Sequence, residues 1–250
     1  MQLRILADES SYEVVGSKTL DRLDRVTETA HYIFRYAAGS LAAREIKAIA
    51  DEQEQAYATL MALFGYGLPD KIEYLLTASA EENGAVLGEL FGGEAACPTN
   101  GCSIAPRYVF AAYNEKVRCV GCHEVTHLFS YVLCMPKSQF LSEGLAMYTD
   151  GAFWGKPNRQ WVKEFLASGR YIPIRELISD EQFFAHPTEI TYPLAGAFVA
   201  FLMETLGPQR FLQDVYASGE PLFSTLSRCL GMDEDVIEER FKAFASAGRS

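Results

Sequence analysis

Nowhere does the sequence approach the eighteen or so consecutive apolar residues that a membrane-spanning helix requires, so no transmembrane segment is predicted. The first ten residues, Met1-Gln-Leu-Arg-Ile-Leu-Ala-Asp-Glu-Ser, lack the apolar core of a secretory signal, and a cytoplasmic protein is the expectation. Basic residues are in deficit: 22 Lys and Arg stand against 33 Asp and Glu, a formal charge of −11. That balance argues against nucleic acid and anionic membrane as partners, because both need concentrated positive charge. No internal repeat or low-complexity run is present, and no feature fixes an oligomeric state. A chain of 250 residues that is 49% hydrophobic can bury a core without disulfide staples, so its six cysteines are expected to be reduced.

Histidine is scarcer still. Two of the four histidines fall within Cys119-Val-Gly-Cys-His-Glu-Val-Thr-His127. On a helix His123 and His127, four apart, share one face and can hold a single metal ion, while Glu124 is rotated by about 100° to lie beside that face. This is the H-E-x-x-H arrangement, with two imidazoles for Zn²⁺ and a carboxylate poised to activate water. A catalytic zinc site needs a third protein ligand. Glu143, sixteen residues past His127, is the single charge in the otherwise apolar helical segment Phe140-Leu-Ser-Glu-Gly-Leu-Ala-Met-Tyr148. An acid on the apolar side of a helix calls for a cationic partner or a metal. Gly144 beside it would let this helix approach the first closely.

His-Glu-Val-Thr-His followed by Ser-Glu-Gly-Leu-Ala-Met-Tyr resembles the gluzincin metallopeptidases, in particular the peptidase MA-like group, over about His31 to Phe244. The resemblance implies His123, His127 and Glu143 as ligands of one Zn²⁺, Glu124 as general base, and hydrolysis of a peptide or protein substrate. It also implies an α+β, zincin-like fold: a small mixed sheet with long helices in an N-terminal lobe (about 31–135), an all-helical C-terminal lobe (about 136–246), and the zinc site between them in a single catalytic domain, 1–250. Two departures bear on details. Met147 stands where some gluzincins carry an Asp that supports a ligand, and the Gly-x-Met-Glu-Asn segment of one aminopeptidase branch is absent.

The local patterns agree with that order. Residues 1–30 read as an arm or edge element. His31-Tyr-Ile-Phe-Arg-Tyr36, Lys71–Thr77 and Arg107–Tyr113 alternate as strands. Ser40 and Gly65 bracket a long amphipathic helix, and Ser79-x-x-Glu82 signals a short one. Gly84 to Gly101 reads as a mobile connection. The metal helix is expected from about Glu115, capped by Asn114, to about Met135, before Pro136; helices alone follow the Glu143 segment. In gluzincins the strand before the metal helix borders the cleft, so the resemblance implies that residues 107–114 offer a free edge to an extended peptide, although the residues themselves also suit an interior strand.

A developing oxyanion needs a fixed donor. Tyr192, in Ile190-Thr-Tyr-Pro-Leu-Ala-Gly-Ala-Phe198, is the candidate, because it falls at the expected start of a helix and related gluzincins carry a tyrosine comparably placed. His186 is the rival. The cysteines allow other readings: Cys119-x-x-Cys122-His123 spells the c-type haem attachment motif, Cys97, Cys102, Cys119 and Cys122 have spacings compatible with a structural zinc, and Cys119 with Cys122 could form a redox pair. Small buried thiols account for them most simply. A zinc-binding but non-catalytic protein that captures peptides is the alternative from another class, distinguished by what Glu124→Gln does to turnover.

Overall fold

The computed structural model describes residues 22–91 and 99–247. The chain is α+β and forms two compact units, one reaching to Val132 and the other beginning at Leu133.

The first unit contains β1 (Arg25–Glu28), β2 (Tyr32–Tyr36), α1 (Leu41–Phe64), β3 (Ile72–Thr77), α2 (Ala80–Phe91), β4 (Gly101–Ile104), β5 (Tyr108–Ala112) and α3 (His123–Leu133). Its sheet runs β1-β2-β3-β5-β4, with the inner three strands parallel and the outer two antiparallel. Helices cover both faces, which is why every residue of β3 and β5 is buried. On one face Tyr32, Phe34 and Tyr74 interlock at centroid separations of 5.2–6.0 Å. Tyr57 of α1 meets Tyr32 edge-on there, and the Tyr32 hydroxyl donates to Gln53 O. On the other face Leu75, Tyr108, Phe110 and Cys102 pack with Val86, Leu87 and Leu90 of α2.

Helix α1 follows its signals. Ser40 Oγ accepts from Ala43 N, and Gly65, at φ 81°, closes the last turn by donating to Met61 O. At the start of α2, Ser79 Oγ accepts from Glu82 N, while the Glu82 carboxylate accepts from Ala78 N, one residue earlier than in a standard capping box. This helix continues to Phe91, so the stretch expected from Gly84 as a mobile connection begins as helix. Asn83, Val86, Leu87 and Leu90 recur at helical spacing and are buried, and that burial outweighs the cost of Gly84 and Gly88, about 1 kcal/mol each.

In the first unit two strands lie outside the expected set: β1, an edge strand in the segment read as an arm or edge element, and β4. The latter corrects the substrate-edge expectation. Because β4 pairs with β5, residues 107–114 hold an interior strand, and among the described residues Gly101–Ile104 is the edge strand on that side.

The second unit contains α4 (Gln139–Asp150), β6 (Ala152–Phe153), β7 (Lys156–Pro157), α5 (Asn158–Ser168), a 3₁₀ turn Ile174–Glu176, α6 (Asp180–Ala185), α7 (Thr188–Leu206), a helical stretch Pro208–Tyr216, α8 (Leu222–Leu230) and α9 (Glu234–Ser246). The sequence predicts an all-helical unit here, and the β6–β7 pair corrects that expectation. Trp154 (φ 50°) and Gly155 (φ 75°) turn the chain so that Ala152 and Phe153 pair with Pro157 and Lys156. Helix α7 is the centre of this unit, with Phe198 meeting Phe140 of α4 at 5.8 Å and Phe241 of α9 at 5.1 Å. Among the described residues no single helix is long and apolar enough to cross a membrane.

Candidate metal centre

The polypeptide between β5 and α3 does not form the early helix expected from Glu115. Asn114 Oδ1 accepts from the backbone N–H groups of Lys116 and Val117, and Asn114 N donates to Val117 O, so the asparagine closes a turn instead of capping a helix. The chain then folds back along β5: Arg118 bridges to Tyr113, and Cys119 N donates to Ala112 O at 3.0 Å. Gly121 follows at φ 110°, a backbone shape that side chains disfavour.

Gln53, fully buried on α1, clasps that glycine. With its amide oriented to satisfy both groups, Gln53 Oε1 accepts from Gly121 N (2.5 Å) and Nε2 donates to Gly121 O (3.2 Å). Tyr74 donates to Cys119 O at 2.9 Å. Cys122 O then accepts from both the backbone N–H and the hydroxyl of Thr126, each at 2.8 Å, which opens the helix at His123. His123 and Glu124 are therefore first-turn residues, where an acidic side chain complements the helix dipole.

The two imidazoles lie edge-on, with centroids 5.2 Å apart, and His127 is buried and stacked parallel to Tyr131 at 6.2 Å. His123, His127 and Glu143 each offer one ligand atom, all within 4.8 Å of one another, and form a group able to hold a metal ion. Donors about 2.0–2.2 Å from a shared ion stand no more than about 4.4 Å apart. Two imidazole nitrogens and a carboxylate suit a first-row divalent ion.

Glu143 sits on α4 between buried Ser142 and Gly144. The close approach that Gly144 permits is to α7: a Cβ there would lie 2.9 Å from both Ala195 O and Val199 Cγ2.

Glu124 is held by a residue that sequence reasoning missed. Ser103 Oγ, on β4, lies 2.7 Å from Glu124 Oε2 and 2.7 Å from Glu124 O, and Ser103 is buried. Gly101, two residues earlier on the same face of β4, backs the carboxylate so closely that a Cβ would meet Glu124 Oε1 at 2.4 Å. A lone serine after a glycine-rich stretch carries no periodic signal, and only the pairing of β4 with β5 brings it to the metal helix.

Comparison with models of known families and with curated proteins returns no match. The site is accordingly read from its own chemistry.

Tyr192 is the fifth residue of α7, stacked on Phe183 at 5.6 Å and 6.4 Å from Phe153. The helix opens four residues earlier than expected, with Pro187 O accepting from Ile190 N and Thr191 N. Tyr192 thus lies in the second turn, past the free N–H groups on which the dipole argument depended. His186 is the residue that ends α6. The cysteines add no second cluster among the described residues: Cys102, Cys119 and Cys122 are in no disulfide and belong to no group of metal donors. Burial, with a smaller contribution from nearby Glu124, pushes the Cys102 thiol far above its ordinary range, which disfavours a thiolate ligand. Cys97 lies outside the described residues.

Proposed function

We propose that this chain is a zinc-dependent metallopeptidase of gluzincin type, with a zincin-like fold, acting on a peptide or protein substrate in the cytoplasm. The observation that carries the reading is the grouping of His123, His127 and Glu143, with Glu124 following His123 on the first turn of α3. Zinc held by those three residues would polarise a scissile carbonyl and lower the pKa of water at the open position to about 7. Glu124 accepts the proton of the attacking water and delivers it to the departing nitrogen. Tyr192 is offered as the hydroxyl donor to the developing oxyanion. The outer edge of β4, one strand further out than the sequence implied, offers main-chain groups to an extended substrate.

Elemental analysis of protein purified without added zinc is the test. About one zinc per chain is expected in the wild type, with loss in His123→Ala and in Glu143→Ala; zinc that survives both substitutions rejects the centre. Glu124→Gln then separates an enzyme from a protein that only captures peptides, since turnover disappears in the first case and binding persists in the second.

A further inference from the structure

Strand β4, at the edge of the sheet among the described residues, does more than border the candidate site. Its Ser103 hydroxyl has a single proton and two acceptors on the same residue, Glu124 O and Glu124 Oε2, both at 2.7 Å. Shared between the Glu124 main chain and one of its carboxylate oxygens, that proton ties the side chain to β4 and restricts the freedom that a first-turn glutamate ordinarily has. The other oxygen, Oε1, rests against the Cα of Gly101, where any side chain would displace it. Among the described residues the hydrogen bond to this carboxylate is made at Oε2 and not at Oε1. Cys102, between the two, points to the opposite face and packs into the core with Phe110 and Leu87, fixing which face of β4 the pair presents.

We infer that Ser103 is the positioning residue for the general base Glu124 and that Gly101 is the clearance it requires, so that β4 sets the orientation of the carboxylate as well as lying beside it. The inference rests on the peptidase reading for its consequence in catalysis, but not for its geometry. A hydrogen bond to a charged group contributes enough that removing it from a proton-transfer base is expected to lower kcat about 10- to 100-fold. Gly101→Ala is expected to do at least as much. The atom its methyl group meets is the far end of a flexible side chain, which can swing away without disturbing the sheet.

The experiment pairs two readouts on zinc-loaded protein. With fluorescently labelled denatured casein as the probe, Ser103→Ala and Gly101→Ala should lower kcat at unchanged KM and zinc content, and Ser103→Thr, which keeps the hydroxyl, should restore most of the rate. Independently of turnover, the Glu124 carboxylate stretch is isolated as the infrared difference between wild type and Glu124→Gln. The same difference is then taken in the Ser103→Ala and Gly101→Ala backgrounds. The band should move in both and return in Ser103→Thr. A band unmoved by Ser103→Ala overturns the inference, as does a loss of rate that Thr does not rescue. If wild-type protein cleaves nothing, the peptidase reading fails and the infrared band alone decides whether Ser103 holds Glu124.

Discussion

Gly101 on β4 and Gly144 on α4 flank two acids of the candidate centre, and neither leaves room for a methyl group. What fills the space differs. Against Gly101 lies the carboxylate of Glu124, the tip of a side chain with rotatable bonds. Against Gly144 lie the backbone carbonyl of Ala195 and the branched side chain of Val199, both part of the buried α7. The region around β4 is thus tight because a functional group has been placed there, and the region around α4 is tight because two helices have been brought together. Gly196 repeats the second case, with Met147 Cβ and Asn158 Nδ2 each 2.7 Å from a Cβ built on it. An alanine at the first position is expected to displace the carboxylate and spare stability, whereas at the second it is expected to cost stability.

The largest effect concerns the carboxylate that Gly101 accommodates. Glu124→Gln should lower turnover by about 10²- to 10⁴-fold, the usual contribution of a positioned acid or base, with zinc retained and the melting temperature little changed. Loss of zinc in that variant would move Glu124 among the ligands and break the contrast between the two regions. Chelation comes next. Zinc held by the proposed centre would stabilise the folded state by about 2.7 kcal/mol when free metal is 100 times its dissociation constant, so a chelator should lower the melting temperature of the wild type and leave Glu143→Ala unaffected.

The paired glycine substitutions test the contrast directly. Gly144→Ala should destabilise by about 1–3 kcal/mol in chemical denaturation, because neither Ala195 O nor Val199 can move without shifting α7. Gly101→Ala should stay within about 0.5 kcal/mol of wild type. Equal losses at the two positions would mean that Glu124 is as rigidly enclosed as the backbone of α7.

How much of this was legible depends on the range of the forces involved. Helix α1, strands β2, β3 and β5, and the pairing of His123 with His127 follow from regular spacing: the helical period, strand alternation and the i, i+4 geometry a metal requires, while Glu143 stands out as the one charge in an apolar helical segment. The start of α3 does not. Asn114 suits a helix cap and a turn equally, and the choice was made by the backbone of Lys116 and Val117 and by a buried glutamine more than sixty residues earlier. Strand β4 has four residues and exists through its partner β5, so Ser103 became visible only once the sheet was assembled. In the second unit the Trp154–Gly155 turn was hidden because a two-residue ladder leaves no alternation to detect.

The smallest effects extend the same distinction, between neighbours that yield and neighbours that do not, to two acids remote from the centre. Glu238, buried on α9, accepts from the Tyr171 hydroxyl and from Ile174 N. Burial nevertheless dominates and raises its pKa above the ordinary 4.5, so the folded state holds the proton more tightly than the unfolded chain. Its contribution is therefore full below that value and is lost as pH rises through the raised one. Glu54 is also opposed by desolvation, but hydrogen bonds from His31 Nδ1 at 2.6 Å and His31 N at 2.9 Å, together with Thr29, outweigh it and lower the pKa. Its contribution is present above 4.5 and is lost as pH falls through the lowered value. Glu238→Gln should flatten the decline in stability on the alkaline side of 4.5, and Glu54→Gln should flatten the decline on the acid side. The second substitution should cost only about 0.5–1 kcal/mol at pH 7, since water reaches that pair. Denaturant titrations from pH 3 to 8 on the two variants read both slopes, and the same sign of change in both would mean that water screens Glu238 as well as Glu54.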